Sequence, residues 1–361
     1  MTTEPQVRYF LGANSPYGFY SLYDQLIDPA RAESIYILKG GAGCGKSSLM
    51  KRTAEQMEAN GLSVEYIYCS GDIHSLDAIL IPGKRAAVVD GTAPHVVEPR
   101  YPGLVEHYVN LERCYNAKEL APLRSEIMDC MSEYKSCYSR AYHCLSAAAE
   151  IEEDMRAVIT TPPLEERISK RARSILSREL KGKGKGAAPG TVKQRFLSGI
   201  THDGVVCWFD TADTLCKRVY ELADSYGLAH IMLTYLLTAA VTAGWDVVAC
   251  LSPIAPDRLE HLLIPEMSLA FVTSSPAMPY GRHPARRIRL DAMADEELVR
   301  RSKPRLRFSK KVSAALLDEA VSSLHQAKVV HDELEALYNP HVDFKEVYAL
   351  GEVIARQLLQ L

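Results

Sequence analysis

A heptapeptide recurs in this 361-residue chain: Leu76-Asp77-Ala78-Ile79-Leu80-Ile81-Pro82 returns 183 positions later as Leu259-Glu260-His261-Leu262-Leu263-Ile264-Pro265. Other pieces fall into the same register. With a one-residue adjustment Tyr36-Ile37-Leu38 meets Tyr220-Glu221-Leu222, Ala87-Val88-Val89 meets Ala270-Phe271-Val272, and Gly61 meets Gly244. Near the front, Arg8-Tyr9-Phe10-Leu11-Gly12 resembles Arg195-Phe196-Leu197-Ser198-Gly199. A repeat of this length means one architecture built twice, which sets fold and domain count together. Each copy reads as strand, helix, strand, connection, strand, the alternation that predicts a parallel sheet covered by helices. The runs at 64–68 and 247–251 are short and β-rich, as buried parallel strands should be. The expected fold class is α/β, with two such parallel-sheet units.

A long helical stretch follows each unit. In the first, apolar or small residues fall at 120, 123, 127, 130, 134, 137, 141, 144, 148, 151 and 155, the 3-4 spacing of a coiled-coil seam. Pro162-Pro163 ends it, and Leu164, Ile168, Ala172, Ile175 and Leu176 share one face of a second helix. The C-terminus repeats the arrangement, with a helix expected from 309 to 338, a break at Asn339-Pro340 and a final helix over 343–359. Both pairs are expected to fold as antiparallel hairpins. The expected division is a first α/β unit over 1–115, a hairpin over 116–181, a flexible basic linker over 182–192, a second unit over 193–305 and a second hairpin over 306–361.

Only the first copy carries Gly40-Gly41-Ala42-Gly43-Cys44-Gly45-Lys46-Ser47, the pattern G-x-x-x-x-G-K-S, between apolar Ile35-Tyr36-Ile37-Leu38 and a helix-forming run over 48–59. Strand before and helix after is the context a phosphate-binding loop requires. Glycines let backbone N–H groups turn toward phosphate oxygens, a lysine reaches the β and γ phosphates, and a serine hydroxyl ligates Mg²⁺. The expected nucleotide-binding set is Gly40, Gly41, Ala42, Gly43, Cys44, Gly45, Lys46, Ser47 and Ser48, with ATP and Mg²⁺ as cofactors. In the second copy Lys46 is matched by His230 and Ser47 by Ile231, so that loop has lost its chemistry.

Arg85-Ala86-Ala87-Val88-Val89-Asp90 is an apolar strand ending in a carboxylate, the pattern of a Walker B strand, and makes Asp90 the expected second metal residue ahead of Asp72. The matching position in the second copy is Thr273. Asp90 is followed by Gly91-Thr92-Ala93-Pro94-His95, with no glutamate to orient water. Thr92 and His95 become the candidate γ-phosphate sensors, with Asp77 another carboxylate in reach. The expected catalytic set is Lys46, Asp90, Thr92 and His95. Arg282, Arg286, Arg287 and Arg289 lie where an arginine finger would be sought, although for any one of them a basic loop paired with nearby acids is the favoured explanation.

Cys130, Cys137 and Cys144 recur at spacing seven but stand about 10 Å apart along a helix, too far to share a metal. They read as small seam residues. His331 and Glu335 read as a surface i,i+4 pair. Nine cysteines in no framework suggest reduced thiols, and no C-x-x-C suggests a zinc site. The segments 164–195 and 282–311 each carry a local charge of +7, but a net charge of −3 gives no overall nucleic-acid signal. No apolar run reaches eighteen residues, and Met1-Thr2-Thr3-Glu4-Pro5-Gln6 has no signal-peptide character, so a cytoplasmic location without membrane contact is expected.

With the glycine loop, the Ser75-Leu76-Asp77 turn, Asp90-Gly91-Thr92-Ala93-Pro94-His95 and His331-Asp332-Glu333-Leu334-Glu335 in view, the chain resembles an uncharacterised bacterial family of tandem P-loop proteins, described as ATP-binding proteins or ATPases. The resemblance implies a P-loop NTPase fold in both halves. This sequence departs from a two-P-loop pattern in its second half. The expected function is a Mg²⁺-dependent ATP-binding protein with one active site, a slow or partner-stimulated ATPase, with a protein partner engaged through the helices. The alternatives are a small-molecule kinase and a nucleotide-gated scaffold with little turnover.

Overall fold

The computed structural model of the protein describes residues 6–180, 182–183 and 188–361. Lys181 and 184–187 of the expected linker lie outside the described residues. The first half runs β1 (Val7–Tyr9), β2 (Gly12–Ser15), β3 (Gly18–Ser21), β4 (Ser34–Lys39), α1 (Lys46–Ala59), β5 (Glu65–Tyr68), β6 (Leu76–Ile81), β7 (Ala86–Asp90), β8 (Glu106–Asn110), α2 (Ala117–Leu120), α3 (Arg124–Ile159) and α4 (Pro162–Glu179). The second runs β9 (Val192–Arg195), β10 (Ser198–Thr201), β11 (Gly204–Cys207), α5 (Phe209–Leu215), β12 (Arg218–Ala223), α6 (Ala229–Thr242), β13 (Val247–Ser252), β14 (Ala255–Ile264), β15 (Leu269–Ser274), β16 (Arg286–Arg289), α7 (Glu296–Tyr338) and α8 (Phe344–Gln360).

Two six-stranded sheets of identical order result, β1-β5-β6-β7-β4-β8 and β9-β13-β14-β15-β12-β16. They are mostly parallel rather than purely so: β6 and β14 run antiparallel to both neighbours. Ser75-Leu76-Asp77, read as a turn, is the entrance to β6. The cause is the connection that follows. A single 3₁₀ turn, Pro82–Lys84, ending in Arg85 at φ 49°, joins β6 to β7, and Pro265–Met267 with Ser268 at φ 52° does the same in the second half. So short a link can join only antiparallel neighbours, since a parallel pair needs a crossover of a dozen residues or more.

Alternation along the strands sends side chains to both faces of each sheet. Ile35, Ile37, Ile67 and Val89 of the first sheet and Val219, Val248, Leu263 and Val272 of the second belong to one shared core. At its centre Phe10 and Phe196 exchange backbone hydrogen bonds of 2.9 and 3.0 Å. Arg195, wholly buried, donates to the Gln25 carbonyl at 2.6 Å and the Leu26 carbonyl at 3.3 Å, tying the halves together.

The outer faces are covered by exchanged helices. On the first sheet, Leu38, Tyr66 and Val88 lie in a core with α1 and with Val347, Ile354 and Leu358 of α8, which comes from the second half. On the second sheet, Leu222, Leu262 and Phe271 lie with α6 and with Leu164, Ile168, Ala172 and Ile175 of α4, which comes from the first. The long helices pair with each other: α3 runs antiparallel to α7, with Arg140–Glu319 at 2.7 Å, Ser313–Glu152 at 2.7 Å and an Arg305–Asp154 ion pair in order along them. The seam is present, since every seam position in α3 is buried or half-buried. The expected hairpins are not, because each helix takes its partner from the other half. α7 begins well ahead of residue 309 because Asp295 caps it, accepting from the Leu298 N–H at 2.8 Å, and the helix passes through Pro304. Among the described residues no helix is long and apolar enough to cross a membrane.

Candidate functional site

The loop between β4 and α1 needs glycine at two points: Gly43 and Gly45 have φ of 68° and 84°, where an L side chain is strained. The turn brings Lys46 back over its own loop. Its ammonium donates to the Gly40 and Gly41 carbonyls, both at 2.7 Å, and lies 3.5 Å from the Asp90 carboxylate. Asp90 is there because β7 runs parallel to β4 with Asp90 opposite Leu38. Thr92 fixes that carboxylate, donating to Oδ1 from its backbone N–H at 2.8 Å and from its hydroxyl. The Ser47 hydroxyl accepts the Leu76 N–H at 2.9 Å, and Tyr115 donates to the Ala42 carbonyl at 3.0 Å. Cys44 is buried, with Sγ 3.7 Å from the Lys46 ammonium, and Ser48 is exposed at the start of the helix.

A cavity of about 860 Å³ opens over this loop, and all the expected nucleotide-binding residues line it, as do Asp90, Thr92 and His95. His95 is buried, with Nε2 3.5 Å from Asp77 and its ring 5.0 Å from that of Tyr23 and 5.6 Å from that of Phe19. Its Nδ1 is buried without a hydrogen-bond partner. Asp77 accepts the Tyr23 hydroxyl proton at 2.6 Å, and burial pushes its carboxyl above the usual carboxylate range against the opposing pull of His95. Asp72 stands apart from Asp90, 3.6 Å from the Lys328 ammonium.

The second half closes one side. Lys328, His331, Glu335, Tyr338 and Asn339 at the C-terminal end of α7 line the cavity, and a Cβ placed on Gly43 would stand 2.6 Å from the Asn339 Oδ1. His331 and Glu335 are thus cavity residues rather than a plain surface pair. With Asp332, which pairs with Lys328, their ligand atoms lie within 4.8 Å of one another. The arginines sought as fingers are elsewhere: Arg282 pairs with Asp210 and Asp213, Arg287 stands 3.3 Å from Glu221, and Arg286–Arg289 forms the edge strand β16. The facing cation from the second half is Lys328. Sequence spacing could not place it, although the neighbouring His331-Asp332-Glu333-Leu334-Glu335 stretch was a visible flag. From α3 come Tyr134, which the seam pattern marks only as packing, and Tyr138, which lies outside that pattern.

The matching loop of the second half is plugged. Asp224, which replaces Gly40, accepts the Tyr226 N–H at 2.9 Å and the Ala229 N–H at 2.6 Å, while Asp291 accepts the Ser225 N–H at 2.8 Å. Carboxylates occupy the donors that a phosphate would need. His230 hydrogen-bonds the Gly227 carbonyl at 2.9 Å. Burial drives the Asp224 carboxyl from 3.8 up to about 6, overcoming the N–H groups that favour its charge. The folded state therefore binds this proton more tightly than the unfolded chain does, and the stability it lends is full below the unfolded value and lost as pH rises to about 6. In urea unfolding, wild type should lose about 2 kcal/mol more between pH 4 and pH 6.5 than Asp224→Asn. Equal pH slopes for the two proteins would refute the assignment.

Residues 21–175 match a family model described as Nephrocystin 3, N-terminal. The matched stretch runs from the end of β3 into α4, holds the glycine loop and Asp90, and leaves the second half outside. No curated protein and no solved structure matches the chain.

Proposed function

We propose that the protein is a Mg²⁺-dependent ATP-binding P-loop NTPase with one working nucleotide site, turning over slowly or on stimulation by a partner. The observation that carries this reading is the convergence of Lys46, Asp90 and the α1 N-terminus on one cavity, with Lys46 and Asp90 3.5 Å apart. The backbone N–H groups of Gly43 to Ser48 and the helix dipole favour phosphate there. Ser47 and Asp90 would hold Mg²⁺, and the donor set fits: a hydroxyl and a carboxylate are hard oxygen ligands. Bound Mg²⁺ would offset charge on the β and γ phosphates. Thr92 holds Asp90 in place, and Lys328 and His95 line the same cavity. On binding, Lys46 would exchange its two carbonyl partners for phosphate oxygens. The resemblance to tandem P-loop proteins and the match over 21–175 both cover the loop and Asp90. An ATP site and nine free cysteines fit a cytoplasmic protein.

A kinase is the second reading. The cavity continues past Asp90 to Asn14, Asp77 and Tyr138, room that water alone does not need, and no glutamate follows Asp90. Calorimetric titration with MgATP, followed by an assay for phosphate release, tests the proposal. Saturable binding lost on chelating Mg²⁺ is expected. Release of phosphate supports the ATPase, release only with an added acceptor supports the kinase, and binding without turnover supports a scaffold. Absence of binding rejects all three.

A further inference from the structure

The cavity is lined by Asp77 and His95 and also by Phe344 and Tyr348 of α8, where Phe344 stands against Gly45 and Arg52 of α1 lies over Tyr348. If Lys46, Ser47 and Asp90 hold the terminal phosphates, the nucleoside leaves the loop along the first turns of α1, toward Phe344 and Tyr348. We infer that Phe344 and Tyr348 form a stacking platform for the purine base of the nucleotide, so that the second half of the chain supplies base recognition to the site of the first. This rests on the nucleotide reading above.

Geometry supports the platform. Phe344 and Tyr348 are i and i+4 on α8, with ring centroids 6.2 Å apart and planes 28° from parallel. A Cβ on Gly45 would lie 3.4 Å from the Phe344 ring, so the platform abuts the phosphate loop directly. Both rings are half-buried and line the cavity, whereas Val347 between them is fully buried against the first sheet. Packing alone would have used the buried face. The Arg52 guanidinium lies over the Tyr348 ring at 3.8 Å, one turn beyond Ser48 on α1, which holds that ring in place.

The platform is also rigid. Asp343 caps α8 by accepting from the Lys345 and Glu346 N–H groups at 3.0 and 3.2 Å, and its own N–H donates to the Cys114 carbonyl at 2.8 Å. Arg113 donates to Glu346 at 2.8 Å. Tyr115 bridges Val342 and also holds the glycine loop through Ala42. Base platform and phosphate loop are thus fastened to the same residues, so little ordering remains to oppose binding.

The test compares MgATP with Mg-tripolyphosphate, which keeps the phosphates and lacks the nucleoside, on the full chain. Wild type should bind ATP about 10-fold or more tighter, in line with what base–aromatic stacking contributes. In the double variant Phe344→Leu/Tyr348→Leu, which keeps an apolar side chain at each position but no ring, that preference should collapse while tripolyphosphate affinity stays unchanged. Thermal unfolding of the variant within a few degrees of wild type shows that α8 is still docked. A second variant, Tyr348→Leu alone, carries the test if the double variant is unstable, with a partial loss of the preference expected. Lys46→Ala should weaken both ligands alike. An ATP preference that survives the leucine variants, or leucine variants that weaken both ligands equally, overturns the platform and leaves the phosphate site standing. No binding of either ligand to wild type overturns both.

Discussion

Removal of residues 343–361 should unfold the N-terminal half of the protein, although that half keeps all of its own sheet. The segment is α8, and its Val347, Ile354 and Leu358 are at most 3% exposed against α1 and the first sheet. Gly351 lets the two helices approach closely, since a Cβ there would stand 3.0 Å from the Leu49 side chain. Three large buried side chains at about 1.5–3 kcal/mol each amount to roughly 5–9 kcal/mol. A whole domain is commonly stable by only about 5–15 kcal/mol. The truncated chain should therefore lose its cooperative unfolding transition and become sensitive to protease within 34–110, as circular dichroism and limited proteolysis can show. A truncated protein that melts within a few degrees of wild type would mean that α8 is an accessory.

Lys46→Ala should abolish useful nucleotide binding with little effect on the fold. In the nucleotide complex the ammonium would sit between the phosphates and Asp90, shielded by the loop. Truncating one partner of such a desolvated charge pair costs about 2–5 kcal/mol, a loss of roughly 30- to several-thousand-fold in MgATP affinity. The fold tolerates the change because the strand and helix that flank the loop stay packed and the Asp90 carboxylate keeps both bonds from Thr92. Titration calorimetry beside a thermal melt separates the two effects. Unaltered MgATP affinity would place the phosphates elsewhere.

Much of this site is legible along the chain. The glycine loop, its flanking strand and helix, and Asp90 can be read because each depends on neighbours within a few residues, where local sterics and hydrogen bonding decide the outcome. The duplication predicts the identical strand order of the two sheets. Four things are not legible, each for a physical reason. Periodicity at 120–155 reveals that α3 has an apolar stripe but not which helix fills it, since α4 and α7 offer stripes of similar character. The direction of β6 depends on the length of the turn after it rather than on its own apolar residues. Asp224 looks like one more lost glycine until the structure shows its carboxylate filling the anion seat. Lys328, some 280 positions beyond Lys46, reaches the same cavity only because α7 is about 65 Å long and runs from the second sheet to the loop of the first.

The exchange of α4 and α8 between halves also bears on how the chain is made. A ribosome adding about 5–20 residues per second needs roughly 10–35 s to travel from the end of α4 to the end of α8. Throughout that interval the nascent first sheet has its glycine loop but neither the helix that covers its outer face nor the wall that closes its cavity. The second sheet, by contrast, finds its cover, α4, already synthesised and waiting. Assembly is thus ordered in time, with the half translated last completed first. An interrupted translation product carries the whole glycine motif without the helices that cover its sheet and close its cavity.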